Sequence, residues 1–279
     1  MARRWIGLGL VALAAGCGAS GGGDGGPGDG GAAPDEGPPV VHSLEGFVRL
    51  GQGAGASSLF ASMTSWSAVG TAPCIRVGEG ACTLLRCDRT AEQGARSAGD
   101  LTASVGSGEP SLTLGPVDGA YPALPATGGV LWGENDEVVL TAAGADAPAF
   151  STTLQPGLAE IVLTAPELRG VGPEEISRTE DLPVAWTGDA TEEAFLIVAF
   201  TSENEAFTGR TQCLFPAEDG EGEVPLEVLT MVPGDLLEVT VGAGAVDQVR
   251  AGAWVVDVSA AVSVSDGVAT AEGNLVLVD

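Results

Sequence analysis

The chain has 279 residues, no Lys, 11 Arg and 38 acidic residues, which gives a formal net charge of −27 at neutral pH. A charge this negative argues against binding to nucleic acid or to anionic lipid surfaces, because both require basic patches. We interpret the excess of acid as a source of solubility through mutual repulsion.

The first 16 residues are typical of a secretory signal. Two arginines precede an uncharged apolar run at residues 5–15. This run is too short to cross a bilayer as a helix, which needs roughly 20 apolar residues. Residues 13–17, Leu-Ala-Ala-Gly-Cys, resemble the lipobox of bacterial lipoproteins, although Ala14 stands where that family more often has Leu. The resemblance implies removal of residues 1–16 and attachment of a diacylglyceryl group to Cys17, whereas an ordinary secretory signal is the alternative.

The segment after Cys17 has the composition of a flexible tether. Gly18–Pro39 contains ten Gly, four Pro and four acidic residues among 22. Such a segment cannot bury enough apolar surface to offset the cost of ordering its backbone. We expect a coil with a reach of about 25 Å. Gly18 lacks the acidic side chain that implies inner-membrane retention in such lipoproteins, so the resemblance implies the outer membrane, on either its surface or its periplasmic face.

Four cysteines remain besides Cys17, and an even number in an exported chain predicts two disulfides. Three pairings of Cys74, Cys82, Cys87 and Cys213 are possible, and all of them join Cys213 to a residue more than 120 positions upstream. Closing so long a loop stabilises a fold by roughly 4–5 kcal/mol on the chain-entropy model. A metal site is disfavoured, because the chain has no Cys-x-x-Cys pair and a single histidine. No cofactor is predicted.

From Val40 onward the hydrophobic pattern repeats every two residues, which indicates β-strands. Clusters of Gly, Pro, Asp and Asn separate the strands about every ten residues, which is typical of sandwich or barrel folds and not of α/β folds. One stretch, residues 224–229, resembles a helical turn. The folded part is therefore predicted to be all-β. The predicted strands are 44–50, 59–64, 101–105, 137–142, 182–187, 194–201, 211–215, 236–241, 254–264 and 273–278.

A change of composition at residues 166–173 predicts a division of the folded part. About 240 residues is large for one sandwich, so we expect two β-sandwich domains, 40–165 and 166–279. The partner of Cys213 must lie in the first of them. A disulfide across the boundary would join the two halves into one rigid body.

Residues 182–188, Leu-Pro-Val-Ala-Trp-Thr-Gly, resemble the central strand of immunoglobulin-like and fibronectin-like bacterial domains. The resemblance covers the second predicted sandwich and implies that Trp186 packs between two sheets. It departs from true immunoglobulin domains, which place the partner of Cys213 just upstream of that Trp. The whole chain is also similar to uncharacterised lipoproteins of myxobacteria. These resemblances imply a fold and no activity.

The residues needed by common catalytic mechanisms are missing from the sequence. His42, the single histidine, adjoins the tether, and the chain lacks both Lys and a Gly-x-Ser-x-Gly elbow. No catalytic residue is therefore predicted. A glycosidase needs only two carboxylates, but such pairs arise by composition alone and the chain has few aromatics to stack sugars. The acidic groups are Glu174 with Glu175, Glu180 with Asp181, Glu192 with Glu193, Glu203 with Glu205, and Asp219 with Glu221 and Glu223.

Two acidic loops, residues 134–137 and 219–223, offer oxygen donors for calcium. Neither follows the spacing of an EF-hand, and solvated turn charge explains both. Among the aromatic side chains that could stack sugars, Trp66, Trp186 and Trp254 are predicted to pack in the core. Trp132 and Tyr121 are the best candidates for exposure, although packing is favoured for them as well.

Taken together, these features predict a non-catalytic lipoprotein of the cell envelope. A lipid anchor would hold it to the membrane, and its β-sandwich would serve surface display or bind an envelope protein or glycan. A calcium- or carbohydrate-dependent adhesion module is one alternative, and a carboxylate-only glycosidase is another.

Overall fold

The computed structural model of the chain describes residues 39–53, 55–106, 111–122, 127–157, 159–168, 173–191, 193–265 and 271–279. The predicted signal peptide, the predicted lipid-attachment residue Cys17 and all of the predicted tether except Pro39 lie outside these residues. Residues Pro38–Asp279 form one compact unit. The described part of this unit is almost entirely β-strand, which confirms the predicted all-β class.

Eleven of the described strands precede residue 166. Two long strands open the unit and shorter strands follow. Their bounds are β1 (Val40–Gly53), β2 (Ala56–Val69), β3 (Cys74–Glu79), β4 (Cys82–Asp88), β5 (Glu92–Ala95), β6 (Leu101–Val105), β7 (Ser111–Leu114), β8 (Thr127–Gly128), β9 (Val138–Ala142), β10 (Phe150–Leu154) and β11 (Ala159–Ala165).

Eight described strands follow residue 166, with a 3₁₀ turn at Ala217–Asp219 and one short helix, α1 (Leu226–Met231). The helix overlaps the predicted helical turn at 224–229. No helix among the described residues is long and apolar enough to span a membrane. The strands are β12 (Glu174–Ser177), β13 (Leu182–Ala190), β14 (Phe195–Glu203), β15 (Phe207–Pro216), β16 (Glu221–Val224), β17 (Leu236–Ala251), β18 (Trp254–Ser263) and β19 (Glu272–Val278).

Twelve of these strands form one large sheet. Its main path runs β3-β4-β15-β14-β17-β18-β1-β2-β5, with β8 paired to β2, and β19 and β12 attached beside β17. Most neighbours are antiparallel, but β1 runs parallel to β18 over Glu45–Gln52. Strands from the two predicted domains, 40–165 and 166–279, therefore share one sheet within one compact unit.

The large sheet is strongly curled. The path from β3 to β18 crosses five strand spacings, which would measure about 24 Å on a flat sheet. Yet the guanidinium of Arg76 on β3 lies 3.1 Å from the carboxylate of Asp257 on β18. The face that carries these two side chains is therefore concave.

Two smaller sheets complete a sandwich-like arrangement. One has the order β10-β9-β6-β7 and the other has the order β11-β13-β16. A single hydrophobic cluster takes side chains from all three sheets, for example Leu140 on β9, Trp186 on β13 and Val256 on β18. The core thus lies between the convex face of the large sheet and the two smaller sheets.

Trp186 is buried between two sheets, as the sequence predicted. Its ring lies 6.1 Å from that of Phe215 on β15 of the large sheet. Its indole Nε1–H donates a 2.8 Å hydrogen bond to the carbonyl of Ala217. Only 3 % of the residue is exposed. The indole therefore fills the core and also satisfies its one polar group.

Two disulfides link neighbouring strands at one end of the large sheet, and they confirm the prediction of two pairs. Cys74–Cys87 joins β3 to β4, and Cys82–Cys213 joins β4 to β15. The second disulfide closes a sequence separation of 131 residues. It fixes the β3–β4 hairpin from the first half of the chain to a strand from the second half.

Candidate ligand-binding site in the trough of the large sheet

The concave face of the large sheet forms a polar trough. Successive side chains of a strand point to opposite faces of the sheet, so every second side chain lies in the trough and the ones between them enter the core. On β1, for example, Val48 and Leu50 are buried in the core, whereas Phe47 and Arg49 are half-buried on the opposite face. The side chains that define the trough are Glu45, Phe47, Arg49, Ser58, Phe60, Arg76, Arg210, Gln212, Asp257 and Ser259.

An ion network spans the trough at one end. Arg76 Nη1 donates to both carboxylate oxygens of Asp257 at 3.1 Å, and Arg76 Nη2 donates to Glu45 Oε2 at 2.8 Å. Arg210 Nη2 reaches Asp257 Oδ2 at 3.4 Å, and Gln248 Nε2 donates to Asp257 Oδ1 at 3.1 Å. Arg76 therefore ties β3 to β18 and β1 across the curl of the sheet.

Aromatic rings support two of the arginines. The guanidinium carbon of Arg210 lies 4.2 Å from the ring centroid of Phe47, and that of Arg49 lies 5.6 Å from the same ring. Phe60 packs beside Phe47 with centroids 5.5 Å apart. Cation–π contacts of this kind hold a guanidinium in place while leaving its N–H donors free.

Burial and charge shift the pKa values of this network in different directions. Burial lowers the pKa of Arg210 to about 10, and repulsion from Arg49 acts in the same direction. Burial also lowers the pKa of Arg49, and the charge of Asp257 offsets only part of that effect. For Arg76, attraction to Asp257 and Glu45 outweighs burial and raises the pKa. For Glu45, burial outweighs attraction to Arg76 and raises the pKa.

Arg49 is the one arginine of the trough that lacks a polar partner. Its side chain makes no hydrogen bond or ion pair with any residue in the part of the chain that the structure describes. Arg76 and Arg210 both contact carboxylates. A half-buried cation that contacts no carboxylate carries a desolvation cost that an anionic ligand would relieve.

Three cavities adjoin one another along the trough. The cavity beside Arg49 has a volume of about 330 Å³ and includes Phe60, Ile197 and Gln212 in its lining. The second, about 370 Å³, shares Gln212 with it and contains the ion network. The third, about 250 Å³, shares Arg210 with the second. Together they give the trough the size of a small-molecule site.

The predicted cysteine sites occupy different faces of the sheet. Cys82 and Cys213 lie in the main core, whereas Cys74 and Cys87 form a small cluster with Trp66. That cluster adjoins the third cavity, which Cys87 and Trp66 help to line. The Cys74–Cys87 disulfide therefore helps to close one end of the trough. Cys17, the predicted lipid-attachment residue, lies outside the described residues.

The residues weighed for catalysis and metal binding do not converge. His42 lies on β1, and its Nδ1 is 2.9 Å from Ser67 Oγ. No group of three or more His, Cys, Asp or Glu side chains that could hold a metal occurs among the described residues. In the loop 134–137, Asp136 Oδ2 accepts a hydrogen bond from the backbone N–H of Gly133, as expected of a turn. Glu221 and Glu223, from the second acidic loop, lie on β16.

Among the acidic pairs, one carboxylate has an unusual environment. Glu174 on β12 has one carboxylate oxygen that is buried without a hydrogen-bond partner in the described structure. Burial raises its pKa, and repulsion from Glu167 contributes in the same direction. Glu175, the other member of the pair, is exposed. Glu192 lies outside the described residues.

Trp132 and Tyr121, the best candidates for exposed aromatics, are both buried. Trp132 is 2 % exposed and donates from Nε1 to the carbonyl of Gly157. The Tyr121 hydroxyl donates to the Gly99 carbonyl and accepts from the Ala98 N–H, both at 2.8 Å. Packing, which was favoured for these residues, is confirmed. Neither is available to stack a sugar.

Sequence reasoning missed the residues that build the trough. The pattern that could have indicated them is a charged residue within an otherwise apolar predicted strand. Arg49 within 44–50 and Asp257 within 254–264 are examples. A charge on a half-buried strand face is unfavourable unless it has a partner or a ligand. Arg76, 181 residues away from Asp257, carries no such signal.

In comparisons with known proteins, no family model, no curated protein and no solved structure matches this chain.

Proposed function

We propose that this protein is a non-catalytic lipoprotein of the cell envelope that binds a ligand in the trough of its large sheet. The trough is the observation that carries the proposal. It is a concave, half-buried polar face with three adjoining cavities, on a sheet held by two disulfides. A rigid concavity with a few convergent polar groups is typical of ligand sites.

The charge of the trough supports this proposal. The chain as a whole has a net charge of −27, yet three arginines converge in the trough. A concave site with an excess of positive charge, within a protein of negative net charge, attracts anions from solution. The trough therefore favours an anionic ligand, while the rest of the surface repels anions.

The sequence before the folded unit supports the proposal of a lipid anchor and a flexible tether. Cys17 in its lipobox context would supply the anchor, and Gly18–Pro39 would hold the unit about 25 Å from the bilayer. Gly18 after the lipidated cysteine favours the outer membrane. A lipid-anchored binding unit of this kind serves display or capture at a membrane face.

Fractionation of cells tests the anchor. Full-length wild type and Cys17→Ser are compared by membrane fractionation and by protease treatment of intact cells. The proposal expects membrane-bound wild type and soluble Cys17→Ser. Wild type that stays soluble contradicts the anchor. Digestion of the membrane-bound protein on intact cells places the trough outside the cell, and protection places it in the periplasm.

Native mass spectrometry tests binding in the trough. The full-length protein is purified from the envelope of cells that make it naturally, as wild type, Ser259→Trp and Ser151→Trp. Ser259 lies in the trough and Ser151 is exposed on β10, in a different sheet. The proposal expects a bound species on wild type and on Ser151→Trp that is absent from Ser259→Trp. The same spectrum for all three proteins contradicts it.

A further inference from the structure

The cavity beside Arg49 combines one cation with neutral polar and apolar groups. Hydroxyl groups of Ser58, Ser259 and Ser263 and the amide of Gln212 contribute to its lining. None of the described residues that line this cavity is acidic. Among the described residues of the lining, Arg49 has the only charged side chain. An anion bound here would meet donors and no like charge.

The charges of the trough leave room for one negative charge. Arg49, Arg76 and Arg210 are set against two carboxylates, Glu45 and Asp257. With both carboxylates ionised, one positive charge remains uncompensated. This charge is that of Arg49, because Arg76 and Arg210 bind the two carboxylates. Asp247 lies on the exposed rim of the second cavity, where solvent screens its charge.

The same cavity also has apolar lining. Phe60, Ile197, Ala199 and Ala261 contribute to it, and Phe60 and Ala261 are neighbours of lining serines on β2 and β18. Phe60 is 42 % exposed and lines this cavity. A ligand with an apolar body would cover this ring.

From these features we propose that the cavity binds an organic monocarboxylate with an apolar body, its carboxylate on the Arg49 guanidinium and its body against Phe60 and Ile197. The planar guanidinium fork matches a carboxylate with two parallel hydrogen bonds. The single uncompensated charge favours a monoanion over a dianion such as sulfate. The volume of about 330 Å³ accommodates a ligand of this size. This inference rests on the proposed role of the trough as a binding site.

Isothermal titration calorimetry tests the inference with full-length protein and four probes: hexanoate, benzoate, hexanol and sulfate. The variants are Arg49→Gln, Arg49→Lys and the matched control Arg96→Gln, because Arg96 is an exposed arginine outside the trough. Circular dichroism confirms that each variant is folded. The variant Arg49→Lys retains the charge and loses the fork.

Hexanoate and benzoate are expected to bind wild type and Arg96→Gln with equal affinity, and hexanol is expected not to bind measurably. Because a hydrogen-bonded ion pair is lost, Arg49→Gln is expected to weaken hexanoate about tenfold or more. Arg49→Lys should bind between these two limits. Equal binding of hexanol and hexanoate, equal affinity in Arg49→Gln and wild type, or sulfate binding as tight as hexanoate would each overturn the inference.

The absence of binding by any probe would also overturn it, and native mass spectrometry distinguishes this failure from failure of the proposed function. If native mass spectrometry shows a trough-dependent bound species and calorimetry shows no carboxylate binding, only the proposed chemical class of the ligand is refuted. If native mass spectrometry shows no trough-dependent species and calorimetry shows no carboxylate binding, the trough is refuted as a binding site.

Discussion

Removal of the two disulfides should destabilise the unit to different extents, in an order set by the pairing. On the chain-entropy model, the cost of losing a disulfide grows with the number of residues in the loop that it closes. The Cys82–Cys213 loop spans 131 residues and the Cys74–Cys87 loop spans 13. These lengths correspond to about 5 and about 3 kcal/mol of unfolding free energy, respectively.

The comparison is made between Cys82→Ala/Cys213→Ala and Cys74→Ala/Cys87→Ala. All four residues are at least nine-tenths buried, so each double variant removes two buried sulfur atoms at a similar cost. The expected difference of about 2 kcal/mol between the variants therefore reports loop length. A total stability at the lower end of the usual range of about 5–15 kcal/mol would leave the long-loop variant close to unfolding.

Equilibrium unfolding in urea, followed by tryptophan fluorescence, measures these free energies. Full-length protein with Cys17→Ser serves as the parent, because the substitution removes the predicted lipid-attachment residue and its thiol. The long-loop variant should unfold at the lower urea concentration, or fail to fold where the short-loop variant folds. Equal stabilities, or the opposite order, would refute the reasoning from loop closure.

Three further substitutions test other parts of the structure. Gln52→Leu should lower the unfolding free energy by about 2–5 kcal/mol, because the Gln52 amide bonds both the N–H and the carbonyl of buried Trp132. Gly188→Ala should cost at least about 3 kcal/mol, since a Cβ would lie 1.9 Å from the Glu160 carbonyl oxygen at a φ of +126°. Because burial raises the pKa of Glu45, the stability of wild type relative to Glu45→Gln should fall as pH rises from 4.5 through the folded pKa.

Matched controls accompany these variants in the same urea assay. Gln93→Leu, at an exposed glutamine, should change stability by less than about 0.5 kcal/mol. Gly106→Ala, at a positive φ with open space around it, should cost about 1 kcal/mol. The reasoning about packing is wrong if either control matches Gln52→Leu or Gly188→Ala. A stability difference for Glu45→Gln that increases with pH contradicts the desolvation of that carboxyl.

The strands of the core were predictable because their alternation is strong. The predicted strand 101–105 coincides with β6, and the predicted strand 254–264 is one residue longer than β18. Apolar side chains at every second position determine both the strand and its buried face. Strands β3 and β4 went unpredicted, because the apolar residues of these short segments do not alternate regularly with polar ones.

The pairing of distant strands could not be predicted from local pattern. The parallel contact of β1 with β18 joins residues about two hundred positions apart, and periodicity carries no information about such neighbours. The trough depends on that contact and on the curl that brings Arg76 to Asp257. Its existence is therefore a property of the sheet order and not of any one segment.

The two exposed-aromatic candidates were difficult for a different reason. Trp132 and Tyr121 lie in Gly- and Pro-rich sequence, which usually runs over the surface. Here the Tyr121 hydroxyl and the Trp132 indole N–H bond to backbone groups of other segments. These long-range bonds anchor the loops in the core, and a sequence read one segment at a time does not reveal them.

The Arg49 side-chain signal in NMR spectra tests the role of the trough most directly. Full-length protein with Cys17→Ser and ¹⁵N-labelled arginine is titrated with hexanoate, and Arg49→Gln assigns the Arg49 Nε–H resonance. Hexanoate should shift that resonance in a saturable way and leave Arg96 unchanged. An unchanged Arg49 resonance, or equal shifts of Arg49 and Arg96, would contradict the assignment of the trough as an anion-binding site.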